Sequence, residues 1–130
     1  MRILLDTCTF LWLATEIGQV SAKAKEAFAD PENEAFLSVV SCWEIAVKHA
    51  AGKLKLPQPP FRLISTYRDR YGVGSLSLDE ESALHVGRLP KLHGDPFDRM
   101  LIAQAQVAHM RLLTADRAAA AYGEAVLLVS

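Results

Sequence analysis

Four acidic residues, Asp6, Glu44, Asp98 and Asp116, stand where strand-like runs give way to helical patterns or where helices begin. They are far apart in sequence, but an α/β fold gathers such positions at one edge, because sites in open α/β sheets form outside the carboxyl ends of the strands. The run ILL (3–5) ends immediately before Asp6, and RLLT (111–114) ends two residues before Asp116. Four carboxylates on one edge repel one another, so a divalent cation is the expected occupant. An all-oxygen ligand set with Ser and Thr neighbours suits Mg²⁺ or Mn²⁺ rather than zinc, which favours His or Cys. A cation held in this way can acidify a water and neutralise an anionic group, and two ions about 4 Å apart could clamp two reacting oxygens.

Each acid also has a structural reading. Asp is a favoured N-cap, and an acid in the first helical turn suits the macrodipole. Asp6 and Asp116 read as caps, Glu44 as the return half of a capping box opened by Ser41, and Asp98 as support for a cap at Asp95. Taken singly, each is read as structural; taken together, they point to a cation. Asp95 and Asp98 are three residues apart and share a helix face, with Asp95 read first as a cap. The histidines His49, His85, His93 and His109 show no metal-binding spacing, and only His93, just before Asp95, falls near the acids. No G-x-G-x-x-G, G-x-x-x-x-G-K-[ST] or G-x-S-x-G motif occurs, which removes the nucleotide-binding and serine-hydrolase readings. Trp12, Trp43 and Phe97 neighbour the acids and could stack on unpaired bases, although their helical spacing assigns them first to the core.

The elements that must position these residues alternate between strand and helix. Residues 2–5 read as a buried strand, TCTFLWLA as a helix and, after Gly18, SAKAKEAFA as a second helix capped by Ser21 and broken at Asp30-Pro31. AFLSV (35–39) is the next strand, and the Ser41–Glu44 pair opens the helix SCWEIAVKHAA, which ends at Gly52. After LPQPP the segment 61–71 is helical, VGSLSL (73–78) a strand and LDEESALHVGRL a helix starting near Asp79. Asp95-Pro96 opens the longest helix, with Phe97, Leu101, Ile102, Ala105 and Ala108 as its buried stripe; strand RLLT, short helix DRAAAAYG and strand AVLLV follow. Near-continuously apolar strands alternating with helices predict one α/β domain over 1–130, with a parallel sheet covered on both faces.

A chain of 130 residues with 51% hydrophobic and 22% charged residues fits one compact domain. A net charge of -1 excludes a protein that holds nucleic acid by overall basicity alone. Residues 44–70, with Lys48, Lys53, Lys55, Arg62, Arg68 and Arg70, form a basic stretch that either faces a polyanion or is simply solvated. The two cysteines, Cys8 and Cys42, read as small buried hydrophobes in a reducing, cytoplasmic setting, and no apolar run is long enough to span a membrane.

The segments LLDTCTFLWL, SVVSCWEIAVK, HGDPFDRMLIAQA and RLLTAD together resemble the PIN-domain ribonucleases, closest to the VapC toxins of type II toxin-antitoxin pairs. The resemblance covers nearly the whole chain, and DPFDRMLIAQA followed by LLTAD is its most specific part. It implies a Rossmann-like three-layer sandwich with a central parallel sheet of four to five strands, and a Mg²⁺- or Mn²⁺-dependent endoribonuclease that inhibits translation. It also implies homodimerisation, an RNA substrate of the tRNA or rRNA class and inhibition by a cognate antitoxin. Asp6, Glu44, Asp98 and Asp116 match the four acidic positions in order, Thr7 and Thr114 match hydroxyl positions that shape the site, and Asp95 belongs to a subfamily variant of the third motif. On this resemblance Asp6, Asp98 and Asp116 bind metal directly and Glu44 binds it directly or through water; Arg99 and Arg117, each adjacent to one of these acids in sequence, are either phosphate contacts or surface arginines.

Three rivals compete with this reading. A phospho-accepting receiver domain needs an acidic pair after the first strand and a Lys near the last, yet Asp6 stands alone and AVLLVS has no Lys. A non-catalytic module of the same fold would keep the acids only as caps. A structure-specific DNA nuclease would use the same chemistry, and recognition of the RNA 2′-OH leaves no readable motif.

Overall fold

The computed structural model describes residues 1–15 and 20–129, so Gly18 lies outside the described residues. Five parallel strands form one sheet in the order β3-β2-β1-β4-β5: β1 (Arg2–Leu5), β2 (Glu34–Ser38), β3 (Gly74–Leu76), β4 (Arg111–Thr114) and β5 (Val126–Leu128). β1 and β2, consecutive in sequence, pair directly through Ile3↔Ala35, whereas β1 pairs on its other side with β4 through Leu5↔Leu113. The chain therefore reverses its direction of travel across the sheet between β1 and β4, and that switch point is where open α/β sheets leave a crevice.

The β1 side chains alternate between two cores, as a strand's period of two requires. Leu4, with Leu112 of β4, joins the core built on Leu101, Ile102 and Ala105; Ile3 and Leu5, with Leu113, join the opposite core with Phe10, Ala24, Ile45 and Ile64. The covering helices are α1 (Thr7–Thr15), α2 (Ala22–Ala29), α3 (Val39–Ala50), α4 (Pro60–Tyr71), α5 (Glu80–His85) and α6 (Pro96–Ala108). The result is the expected three-layer α/β sandwich around a parallel sheet. Among the described residues no helix is long and apolar enough to cross a membrane.

Several boundaries follow the expected chemistry. Ser21 caps α2 by accepting from Ala24 N–H, Asp79 caps α5 by accepting from Ser82 N–H, and Asp95 caps α6, the longest helix, with Pro96 at its first position. The third helix departs from expectation. It opens at Val39, not Ser41, because Ser38 leaves the strand and its hydroxyl accepts from Val40 N–H. Ser41 and Glu44 are therefore interior helical residues, and no capping box forms. The helix contributes Val40 to one core and Ile45 to the other, so it lies across the carboxyl end of the sheet rather than over one face. The segment DRAAAAYG forms 3₁₀ turns over Arg117–Ala125, interrupted at Gly123, whose φ of 90° suits glycine.

Candidate active site

Asp6 follows β1 directly. Its backbone N–H donates to Leu113 O of β4 (3.1 Å), and its carboxylate caps α1 by accepting from Thr9 N–H at Oδ1 (2.7 Å). Its other oxygen, Oδ2, accepts from the Thr114 hydroxyl at the end of β4. Thr114 Oγ1 in turn accepts from Asp116 N–H (3.1 Å), so one buried hydroxyl links the first and fourth acids. Asp116 caps the 3₁₀ turns through Oδ1, accepting from Ala118 N–H (2.9 Å), and its Oδ2 lies 2.7 Å from His93 Nε2.

Asp98 sits in the first turn of α6. Among the described residues no protein hydrogen bond holds its carboxylate; His93 Nε2 is 3.5 Å away. Asp95, by contrast, is committed: its Oδ1 accepts from Phe97 N–H (2.8 Å) and Asp98 N–H (3.1 Å), so the structure uses it as the cap that aims Asp98. Asp6, Asp98 and Asp116 line one cleft of about 220 Å³ together with Cys8, Thr9, Trp12 and Ala115.

Glu44 is outside that lining. It is buried, with Oε1 accepting from the Thr7 hydroxyl (2.7 Å) and Oε2 paired with Lys48 one helical turn along. Ser41 Oγ is 2.9 Å from Thr7 Oγ1; since Thr7 has a single proton and gives it to Glu44, Ser41 is the donor of that second bond. The Ser41–Thr7–Glu44 chain ties α3 to the start of α1. This is the arrangement that the capping-box reading of Ser41 and Glu44 missed; the Lys at i+4 from Glu44 was its one visible signal.

The electrostatics record the crowding. Burial, then the neighbouring charge of Asp95, pushes Asp98 up to about 7, with Asp6 and Glu44 adding to the shift and His93 opposing it. Burial also raises Asp6, against the hydrogen bonds from Thr114 and Thr9. The hydrogen bond with His93 lowers Asp116 and raises His93. A carboxyl held near neutrality between other carboxyls is a place where a cation relieves repulsion, and the three carboxylates lining the cleft offer oxygen ligands, while the Cys8 thiol beside them stays protonated. The residues present fit Mg²⁺ or Mn²⁺. His93, Asp98 and Asp116 also bring one ligand-type atom each within 4.8 Å of one another.

Other expectations change. Trp43 is 60% exposed, so it is not core; its ring meets Phe97 edge-to-face at 5.0 Å, with Lys48 Nζ 5.8 Å from the Phe97 centroid. Trp12 is half-buried in the cleft wall. Cys8 is exposed in the cleft rather than buried, and partial burial of the sulfur, followed by the charges of Asp6, Glu44 and Asp98, pushes its thiol up to about 11. Arg99 donates to Val86 O (3.0 Å) and Leu89 O (3.4 Å), because the carbonyls ending the 3₁₀ turn Val86–Arg88 attract a cation. It ties α6 to that turn. Arg117 is exposed beside Asp116. In the basic stretch, Arg68 is engaged with the carbonyls of Leu37, Val73 and Gly74, and Arg70 with the Tyr67 ring; Lys53, Lys55 and Arg62 are exposed.

The PIN domain family model matches residues 3–125. The chain belongs to the PIN domain family. A curated relative, Ribonuclease VapC16 of Mycobacterium tuberculosis, is 36% identical over 56 residues, a match spanning 43% of this chain and only 40% of that relative's length. The VapBC2 complex of Rickettsia felis, solved bound to a promoter DNA fragment, has a chain similar to this PIN domain with a TM-score of 0.72 at 13% identity, covering 98% of this chain and 97% of that one. A toxin-antitoxin complex from Klebsiella pneumoniae matches with a TM-score of 0.64 at 18% identity, covering 98% of each chain. At these identities the structural likeness speaks for the PIN fold.

Proposed function

We propose that the chain is a divalent-metal-dependent endoribonuclease, the toxin of a toxin-antitoxin pair that inhibits translation by cutting RNA. The observation that carries this reading is the convergence of Asp6, Asp98 and Asp116 on one cleft, with the Asp98 carboxylate held by no hydrogen bond among the described residues and pushed up to about 7 by burial and by neighbouring acids. The membership of the PIN family and the likeness to a protein named as a ribonuclease support it.

Asp6, Asp98 and Asp116 would hold Mg²⁺ or Mn²⁺, with Glu44 reaching it directly or through water. Bound there, the ion supplies an acidified water and neutralises charge on the phosphate. The chain's own residues do the positioning. Thr114 fixes the Asp6 carboxylate by donating to Oδ2, Thr7 and Lys48 hold Glu44, and the Asp95 cap orients the first turn of α6 that carries Asp98. No side chain serves as a covalent nucleophile: the one thiol in the cleft wall, Cys8, stays protonated at neutral pH.

The substrate we infer is single-stranded or looped RNA of the tRNA or rRNA class. Unstacked bases can lie on the exposed Trp43 ring, which is propped edge-to-face on the half-buried Phe97 and adjoins Glu44 in sequence, while Arg117 offers a cation next to Asp116. A cognate antitoxin, a second copy of the chain and a cytoplasmic setting complete the reading; the antitoxin is supported by the similar structure from Klebsiella pneumoniae, which is a toxin-antitoxin complex. The test is cleavage of matched RNA and DNA oligonucleotides of one sequence with Mg²⁺, Mn²⁺ or chelator. Metal-dependent cutting of RNA alone is expected. Cutting of DNA in preference would select the DNA-nuclease alternative, and no cutting of either would select the non-catalytic module.

A further inference from the structure

His93 is placed among the acids so that two readings compete. Its Nε2 is 2.7 Å from Asp116 Oδ2 and 3.5 Å from Asp98 Oδ2, a spacing that would let it join a metal's ligand set as a nitrogen donor. The other side of the ring decides between them. Nδ1 accepts a hydrogen bond from the backbone N–H of Asp95 (3.1 Å), and a nitrogen that accepts from an amide carries no hydrogen of its own. The neutral ring must then carry its hydrogen on Nε2, and a second proton would leave that hydrogen in place. In either state Nε2 is a donor with no free lone pair for a cation.

We propose that His93 is a positioning residue rather than a metal ligand: its Nε2–H holds the Asp116 carboxylate toward Asp98, while its Nδ1 locks the loop that carries the α6 cap. The backbone of Asp95 sets the tautomer, the tautomer makes Nε2 a donor, and the donor fixes one oxygen of Asp116. The ring thereby couples the third and fourth acids, which lie on separate elements. Outer partners of this type orient ligands and affect metal affinity by about 10- to 100-fold. The resulting ligand set stays all-oxygen, so His93 adds no preference for softer metals. This inference rests on the metal-site reading above.

Two measurements on the full chain test it. In the metal-free protein, long-range ¹H–¹⁵N correlation of the His93 ring at a pH where it is neutral should show a protonated Nε2 and an unprotonated Nδ1; the opposite tautomer overturns the proposal. Calorimetric titration with Mn²⁺ and, separately, Mg²⁺ should show His93→Ala weakening both by about tenfold or more, with their ratio unchanged. His93→Gln, which keeps an N–H donor at similar reach, should recover most of the loss. Electron spin echo of the Mn²⁺-loaded wild type should lack directly bound imidazole nitrogen. A bound nitrogen, a selective loss of Mn²⁺ over Mg²⁺, unchanged affinity in a folded His93→Ala, or no recovery in His93→Gln overturns the positioning role alone. A wild type that binds neither ion overturns the metal reading, and this one with it.

Discussion

At the scale of single residues, Asp98 differs from the other acids because no hydrogen bond among the described residues holds its carboxylate, and His93 offsets only part of the burial and neighbouring charge. Its native pKa of about 7 lies above the ordinary value of 3.8, so between those values the folded state binds the proton that the unfolded state has lost. Stability of the metal-free protein therefore falls as pH rises from about 4 to about 7 and levels off above. Asp98→Asn should stabilise the metal-free protein at pH 8 by about 1–2 kcal/mol, a figure discounted for the solvent that reaches this half-buried group. The gain should vanish near pH 4, as denaturant melts at the two pH values would show. Thr114 has the opposite character. It is buried and its hydroxyl serves both Asp6 and the Asp116 backbone, so Thr114→Val, nearly isosteric, should cost about 1–3 kcal/mol in chemical denaturation and reduce cleavage as well.

At the scale of elements, the caps position the chemistry. The Asp95 carboxylate accepts from Phe97 and Asp98 N–H, so Asp95→Ala should lower stability by about 1 kcal/mol and reduce activity only in part. Asp95→Ser keeps a capping oxygen and should restore both; a total loss of activity in Asp95→Ser would instead make Asp95 a ligand. This cap was legible in the sequence because Asp before Pro at a helix start is a local signal. So were β1 and β4, whose apolar runs stop at the acids, and the caps Ser21 and Asp79. The start of α3 was not. Ser38 and Ser41 carry equal local credentials, and the choice depends on where β2 must end to pair Ser38 with Leu76 of β3, a tertiary fact. For the same reason the path by which Thr7 reaches Glu44, and the exposure of Trp43 on a helix laid across the sheet end, could not be read from periodicity. Helical spacing says which residues share a face; it does not say what covers that face.

At the scale of the whole molecule, the sheet order accounts for the convergence. Crossing from β3 past β2 and β1 to β4 opens the switch point at the ends of β1 and β4, and Asp6 lies immediately past the first end and Asp116 two residues past the second. Acids gathered there destabilise the empty fold, so a cation that binds only the native state should restore stability. Mn²⁺ at about ten times its dissociation constant should add about 1.4 kcal/mol. For a domain of this size that is a rise of about 5 °C in melting temperature. The rise should be lost in Asp98→Asn, and no rise in the wild type would favour the non-catalytic module.

The most direct test of the central claim is the rate of RNA cleavage against Mn²⁺ concentration for the wild type, Asp6→Asn and Asp98→Asn, each confirmed as folded. The account predicts saturable, metal-dependent cleavage by the wild type and its loss in both variants. Cleavage at the wild-type rate in both would contradict it.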